Sequence, residues 1–202
     1  MNKIRSPSEL LKRCARHLRD ALGVHPKFYR MFQCKDAETF IDVFVSAGNP
    51  GVGLSTAATL GLSERGNYFK IEDRSLTVEI LIVLPTCEER IAQIASECAF
   101  LISERNIAAQ PGIVVLDVIR LCDPNRAMKH ALLVTPLNHK VGEVDCGNIS
   151  VTWLQMIPIN EIEYEYARLR GVKHLKEKLE MNDIDLYDLD RESSVQRHDL
   201  NT

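Results

Sequence analysis

The segment Thr77–Leu84, TVEILIVL, constrains this chain more than any other: aliphatic and β-branched residues interrupted once, by Glu79. The run is far too short for the ~20 residues a membrane span needs. Its β-branched content favours a strand over a helix, and Pro85 and Thr86 end it. A strand over Ser75–Leu84 with a strong apolar core is therefore expected. If that strand is half-buried, Glu79 points to the wet face. A buried Glu79 would instead need partners and would mark a structural ion pair or a binding site. Asp117, within VVLDVI, poses the same choice.

Further strands are expected at Lys27–Phe32, Phe40–Val45, Leu54–Leu62, Gly112–Leu121, Ala131–Thr135 and Ser150–Ile157, the last carrying the single tryptophan, Trp153. Up to Leu84 the linkers are too short for helical crossovers, which predicts antiparallel pairing. Asn138–Asn148 reads as a polar loop and CDPNR as a turn.

Three amphipathic segments complete the pattern. Ser6, Pro7 and Glu9 read as cap, first helical residue and capping-box acid of a helix whose apolar face is Leu10, Leu11, Cys14, Leu18, Ala21 and Leu22. Gly23 closes it. Thr86 and Glu89 suggest another capping box, followed by Ile91, Ile94, Ala95, Cys98, Leu101 and Ile102 at helical spacing. Asn160 with Glu163 caps a third helix that Gly171 ends, and Val172, Leu175 and Leu179 continue as a short fourth. The fold class is thus α+β: a mixed, largely antiparallel sheet with helices packed on it. Residues 1–195 read as a single domain, with an N-terminal amphipathic helix over 1–24 and a frayed tail over 196–202.

Composition narrows the function classes. Hydrophobic residues make up 45% and charged residues 26%, a globular average. The N-terminus has no secretory h-region, and the six cysteines are irregularly spaced, so a cytoplasmic address with reduced thiols is expected. Net charge is −3, but residues 1–35 hold nine Lys/Arg against two Asp/Glu, whereas residues 161–192 hold ten acids against six bases. That balance, without a basic stripe, argues against direct nucleic-acid binding. The acidic end would suit a basic partner.

Motifs for catalysis are few. GNPGVGLS, with Gly48, Gly53 and Ser55, has the outline of a phosphate-binding loop, yet Leu54 stands where lysine is needed and strand-forming residues follow. A hairpin or wide turn is the better reading. The histidines form no HExxH, and CxxC and GxSxG are missing from the sequence. Cys14 and His17 can share a helix face, but two ligands do not make a zinc site. No cofactor or metal is expected.

Several segments together resemble a known family. STAATLGLS (Ser55–Ser63), LTVEI (Leu76–Ile80), VTWLQMIPINEIEYEYARLRG (Val151–Gly171) and EKLEMNDIDLYDLDRESSV (Glu177–Val195) stand in the order found in the suppressor-of-fused family, especially its short bacterial members. The matching features are the turn Gly61, Leu62, Ser63; Glu79 in its apolar strand; Ile157, Pro158 and Ile159 leading to Glu161; and the ending Asp188, Asp190, Arg191, Ser193. The resemblance spans roughly residues 27–195. It departs at Leu60, where the family often has an aromatic residue, and it lacks the second lobe of the larger relatives.

The resemblance implies a suppressor-of-fused-like domain that binds protein and is not an enzyme. The eukaryotic relative restrains a zinc-finger transcription factor by holding a peptide segment of it. The bacterial members look like immunity or antitoxin proteins that neutralise a cognate toxin, often a nuclease, encoded nearby. A regulatory scaffold for an endogenous cytoplasmic protein, or an unrecognised hydrolase, are the alternatives. Two binding modes are open, strand addition at an exposed sheet edge or an acidic face entering a basic groove. The second is preferred, which makes Asp183, Asp185, Asp188 and Asp190 the expected partner-binding residues.

Overall fold

The strand that carries Thr77–Leu84 lies in the middle of one mixed sheet. The structure, a computed structural model, describes residues 8–23, 26–33, 36–66, 68–71, 74–137, 141–181 and 184–200. Among these the strands are β1 (Lys27–Gln33), β2 (Asp36–Ala47), β3 (Leu54–Leu60), β4 (Tyr68–Ile71), β5 (Arg74–Pro85), β6 (Val114–Val115), β7 (His130–Val134), β8 (Val144–Asp145) and β9 (Ile149–Ile159). The helices are α1 (Glu9–Leu22), α2 (Ile91–Glu104), α3 (Val118–Cys122), α4 (Glu161–Arg170) and α5 (Val172–Met181). Sheet order is β1-β2-β3-β5-β9-β7-β6, with β4 beside β5 and β8 beside β9. Pairing is antiparallel except between β5 and β9, which run parallel. The sheet is mixed and largely antiparallel, as the sequence predicts.

Both faces of the sheet are covered. Side chains alternate along a strand, so Val78, Ile80, Ile82 and Leu84 of β5 join Ile94, Cys98 and Ile102 of α2 in one core. Leu81 and Val83 pack with Trp153, Phe44 and the Cys14, Leu18 and Leu22 face of α1 in a second. A third core joins β7 and β9 to α4 and α5 through Leu132, Ile157, Ile159, Tyr166, Leu175 and Leu179. β5 therefore has no wet face, and the expectation that Glu79 points to solvent is corrected: Glu79 is fully buried.

Local chemistry sets several boundaries differently from the sequence reading. The cap of α1 is Ser8, whose hydroxyl accepts from the Leu11 N–H at 3.1 Å. Ser6 and Pro7 lie outside the described residues. Gly23 closes α1, its N–H donating to Arg19 O, as expected. The Thr86–Glu89 capping box does not form: β5 runs on through Pro85, the Thr86 N–H donates to Gly53 O, and α2 starts after Arg90 without a side-chain cap. The strand expected over Gly112–Leu121 shrinks to Val114–Val115, after which the chain turns into α3 with Asp117 in the left-handed region (φ 67°). Short apolar runs suit either a strand or a helix, and here the two share one run. Asn160 and Glu163 form the expected reciprocal capping box of α4. The GNPGVGLS segment is the turn joining β2 to β3, closed by Gly48 N–H to Leu54 O at 2.7 Å.

Candidate binding surfaces

Two buried carboxylates organise the interior. The turn after β3 points its backbone at Glu79. The N–H groups of Gly61 (2.7 Å) and Ser63 (3.0 Å) and the Ser63 hydroxyl (2.6 Å) donate to Oε1, while Thr59 Oγ1 (2.7 Å) and Leu62 N–H (3.3 Å) donate to Oε2. Gly61 reaches this geometry at φ 122°, a conformation that side-chain-bearing residues rarely adopt. Five donors converge on one carboxylate, so the Gly-Leu-Ser turn and Glu79 form one structural unit.

Glu163 is equally buried. Arg191 grips it in a two-pronged ion pair (Nη1 to Oε1 2.7 Å, Nη2 to Oε2 2.9 Å) and also donates to Pro158 O. Ser194 adds its N–H and hydroxyl to Oε1 at 2.8 and 2.7 Å. The ending Arg191–Ser194 thus locks the start of α4 to the end of β9. The sequence named these positions separately and gave no signal that they meet.

The acidic run is spent partly on its own turns. Asp183 lies outside the described residues. Asp185 Oδ1 accepts from Tyr187 N–H at 2.9 Å, and Asp188 Oδ1 from Asp190 N–H at 2.8 Å. Asp190 accepts from Arg126 Nη1 at 2.6 Å and from Ala127 N–H at 3.0 Å, and these contacts hold its carboxyl below the usual range despite partial burial. Arg126 also binds Glu88 and Asp123. Asp185 and Asp190 remain exposed and Asp188 is half-buried.

A polar cluster surrounds His130. Its Nδ1 accepts from Asp117 N–H at 3.0 Å, and Nε2 lies 3.3 Å from Glu161, which Arg120 also binds. Burial lowers the imidazole pKa, against the opposing pull of Glu161 and Asp117. Asp117 itself pairs with Arg120 at 3.0 Å and is half-buried rather than inside a strand. Cys14 is sealed beneath α1, and burial pushes its thiol up to about 12; burial also raises Cys98. Such thiols are poor nucleophiles. His17 stacks on Trp153 with ring centroids 5.7 Å apart. Among the described residues, no group of three or more His, Cys, Asp or Glu could hold a metal ion, and no helix is long and apolar enough to cross a membrane.

The surface that sequence reasoning missed lies at the β1 end of the sheet. Phe28 and Phe32 are 58% and 54% exposed, and Tyr29 on the opposite face of β1 is 41% exposed. Phe28 meets Phe44 edge-on at 5.3 Å, and Phe32 leans on Phe40 at 6.0 Å. Between them Arg30 binds Asp42 through two hydrogen bonds (2.7 and 2.8 Å) and lies over the Phe40 ring at 4.1 Å. A groove of about 470 Å³ separates this row from α1, lined by Leu11, Ala15, Phe28 and Leu60 with Lys12 at its rim. The signal was the composition of KFYRMFQ, where an aromatic or a charge occupies nearly every position.

Comparison with known proteins agrees with this architecture. A model of the suppressor of fused protein family matches residues 38–192. The chain is 31% identical over 183 residues to immunity protein YqcF of Bacillus subtilis (strain 168), covering 90% of this chain and 95% of that one. A suppressor of fused homolog from Neisseria gonorrhoeae FA 1090 superposes with a TM-score of 0.70 at 17% identity, covering 92% and 97% of the two chains. Drosophila Suppressor of Fused gives 0.61 at 11% identity, and there this chain spans 50% of the longer protein. A structure of the Sufu–Fu complex gives 0.62 at 12% identity.

Proposed function

The chain belongs to the suppressor of fused family, and from that premise we propose that it is an immunity protein: a non-enzymatic cytoplasmic binder that neutralises a toxin, of nuclease or other activity, encoded beside it. The observation that carries this reading is the likeness to an immunity protein along nearly the whole length of both chains. The architecture is compatible with it. Glu79 and Glu163 are consumed in holding turns together, and the buried Cys14 and Cys98 thiols are poorly suited to nucleophilic work. What this fold offers a partner is its surface.

Two faces are available. The acidic turns carrying Asp185, Asp188 and Asp190 would meet a basic groove by charge, giving fast and salt-sensitive association. Part of that charge is already answered by Arg126. The exposed end of the sheet is the other face.

Co-expression with the neighbouring gene's product tests the function. Cells making that product alone should stop growing, cells making both should grow, and the two proteins should co-purify. A product that is harmless alone and does not co-purify with this chain would contradict the proposal. Co-purification with a harmless product would instead favour a scaffold for an endogenous protein.

A further inference from the structure

β1 is one of the two end strands of the sheet: it pairs with β2 on one side, and no strand lies on its other side among the described residues. A free edge is a template for another strand, and proteins usually blunt it with charge or cover. Here Lys27 and Arg30 supply charge, yet Phe28, Tyr29 and Phe32 stay exposed along the same strand. α1 packs over β2 and β3 and leaves the groove beside Phe28 open.

Charge selects the occupant. Lys12, Arg13, Arg16 and Arg19 lie along α1, and Lys27 and Arg30 on β1. Glu9, Asp20 and Asp42 pair with Lys12, Arg19 and Arg30, which leaves this end with a basic surplus in a chain of net charge −3. A second copy of this chain paired edge to edge would bring like charges together, which is unfavourable. An extended segment alternating carboxylates with apolar side chains would satisfy the backbone edge, the aromatic row and the cations at once. α1 and β1 also precede residue 38, where the match to the family model begins, so the family likeness does not assign this surface.

We propose that the β1 edge and the groove beneath α1 receive an extended acidic and apolar segment of the toxin, added to the sheet as a further strand. This rests on the immunity reading above. It places the specificity of the complex in Phe28, Phe32, Lys12 and Lys27.

The test uses the full chain and the product of the neighbouring gene. Titration calorimetry with wild type, Phe28→Ser/Phe32→Ser and Lys12→Glu/Lys27→Glu is compared with Leu121→Ser/Leu169→Ser, which removes apolar side chains of similar exposure elsewhere. The aromatic pair should weaken binding about thirtyfold or more, the size of a lost hot spot. The charge reversal should weaken it about tenfold or more at low salt and less at high salt, and the control pair should bind like wild type. Amide hydrogen exchange should show residues 27–33 protected in the complex. Because the control folds and binds, equal affinity for all variants would overturn this docking site while leaving the immunity reading intact. No binding to wild type would overturn the reading and the site together. A wild-type dimer that Phe28→Ser/Phe32→Ser converts to a monomer would show that a second copy occupies the edge, and would also overturn it.

Discussion

Ser63 holds Glu79 twice, through its backbone N–H at 3.0 Å and its hydroxyl at 2.6 Å, both on Oε1. Two residues sixteen apart in sequence thereby tie the turn after β3 to β5, and Gly61, Leu62 and Thr59 complete the cradle.

Since all five partners are donors, an amide at position 79 turns two of its own N–H bonds against them. Glu79→Gln should therefore destabilise the fold by about 2–4 kcal/mol, and Ser63→Ala by about 1–2 kcal/mol. Urea denaturation checks both. A Glu79→Gln protein as stable as wild type would show that the cradle does not depend on the carboxylate.

Breaking the Glu163–Arg191 pair leaves a buried charge unanswered. Arg191→Met should cost about 3–5 kcal/mol. Glu163→Gln/Arg191→Met should cost less than the two single changes added, since the remaining partner is no longer stranded. A double-mutant cycle by chemical denaturation measures the coupling, and strict additivity would rule it out.

Stability should fall on mild acidification through His130. Its folded pKa lies below the ordinary imidazole value of about 6.5, chiefly because it is buried. For a base with a depressed pKa the unfolded chain binds the proton first. The His130 contribution is therefore complete above about pH 6.5 and is lost as pH falls from there towards the lowered folded value. Glu161, Asp117 and Arg120 face the ring and remain in the comparison protein. Thermal melts of wild type and His130→Gln between about pH 7.5 and about pH 5.5 should diverge, with the steeper loss in wild type. Parallel curves would remove His130 from the pH response.

The acidic turns separate into two roles. Asp190→Asn breaks a partly exposed ion pair to Arg126 and should cost about 1 kcal/mol. Asp185→Asn and Asp188→Asn keep an acceptor for their turns and should change stability by less than about 0.5 kcal/mol. Toxin affinity of the Asp185→Asn/Asp188→Asn protein should stay close to wild type at low salt. A large, salt-dependent loss would make the acidic face the docking surface instead.

The framework was legible because periodicity and capping are local. The α1 face, the Asn160–Glu163 box and the core strands β5, β7 and β9 follow from spacing alone. Glu79 was misread because burial on both faces depends on α1 and α2 packing against opposite sides of β5, a long-range fact that one strand does not encode. The Arg191–Glu163 grip spans a similar distance in sequence. The division of Gly112–Leu121 into β6 and α3 turned on Asp117, whose left-handed backbone leaves no mark in the pattern of apolar residues. Phe28 and Phe32 were read as ordinary strand residues; their exposure follows from β1 being last in the sheet, which only the sheet order reveals.

The most direct measurement of the immunity proposal is the activity of the purified neighbouring-gene product titrated with this chain. Inhibition should become complete at equal molar amounts and should follow the affinity order of the β1-edge variants. A product that stays fully active in excess of this chain would contradict the proposed function.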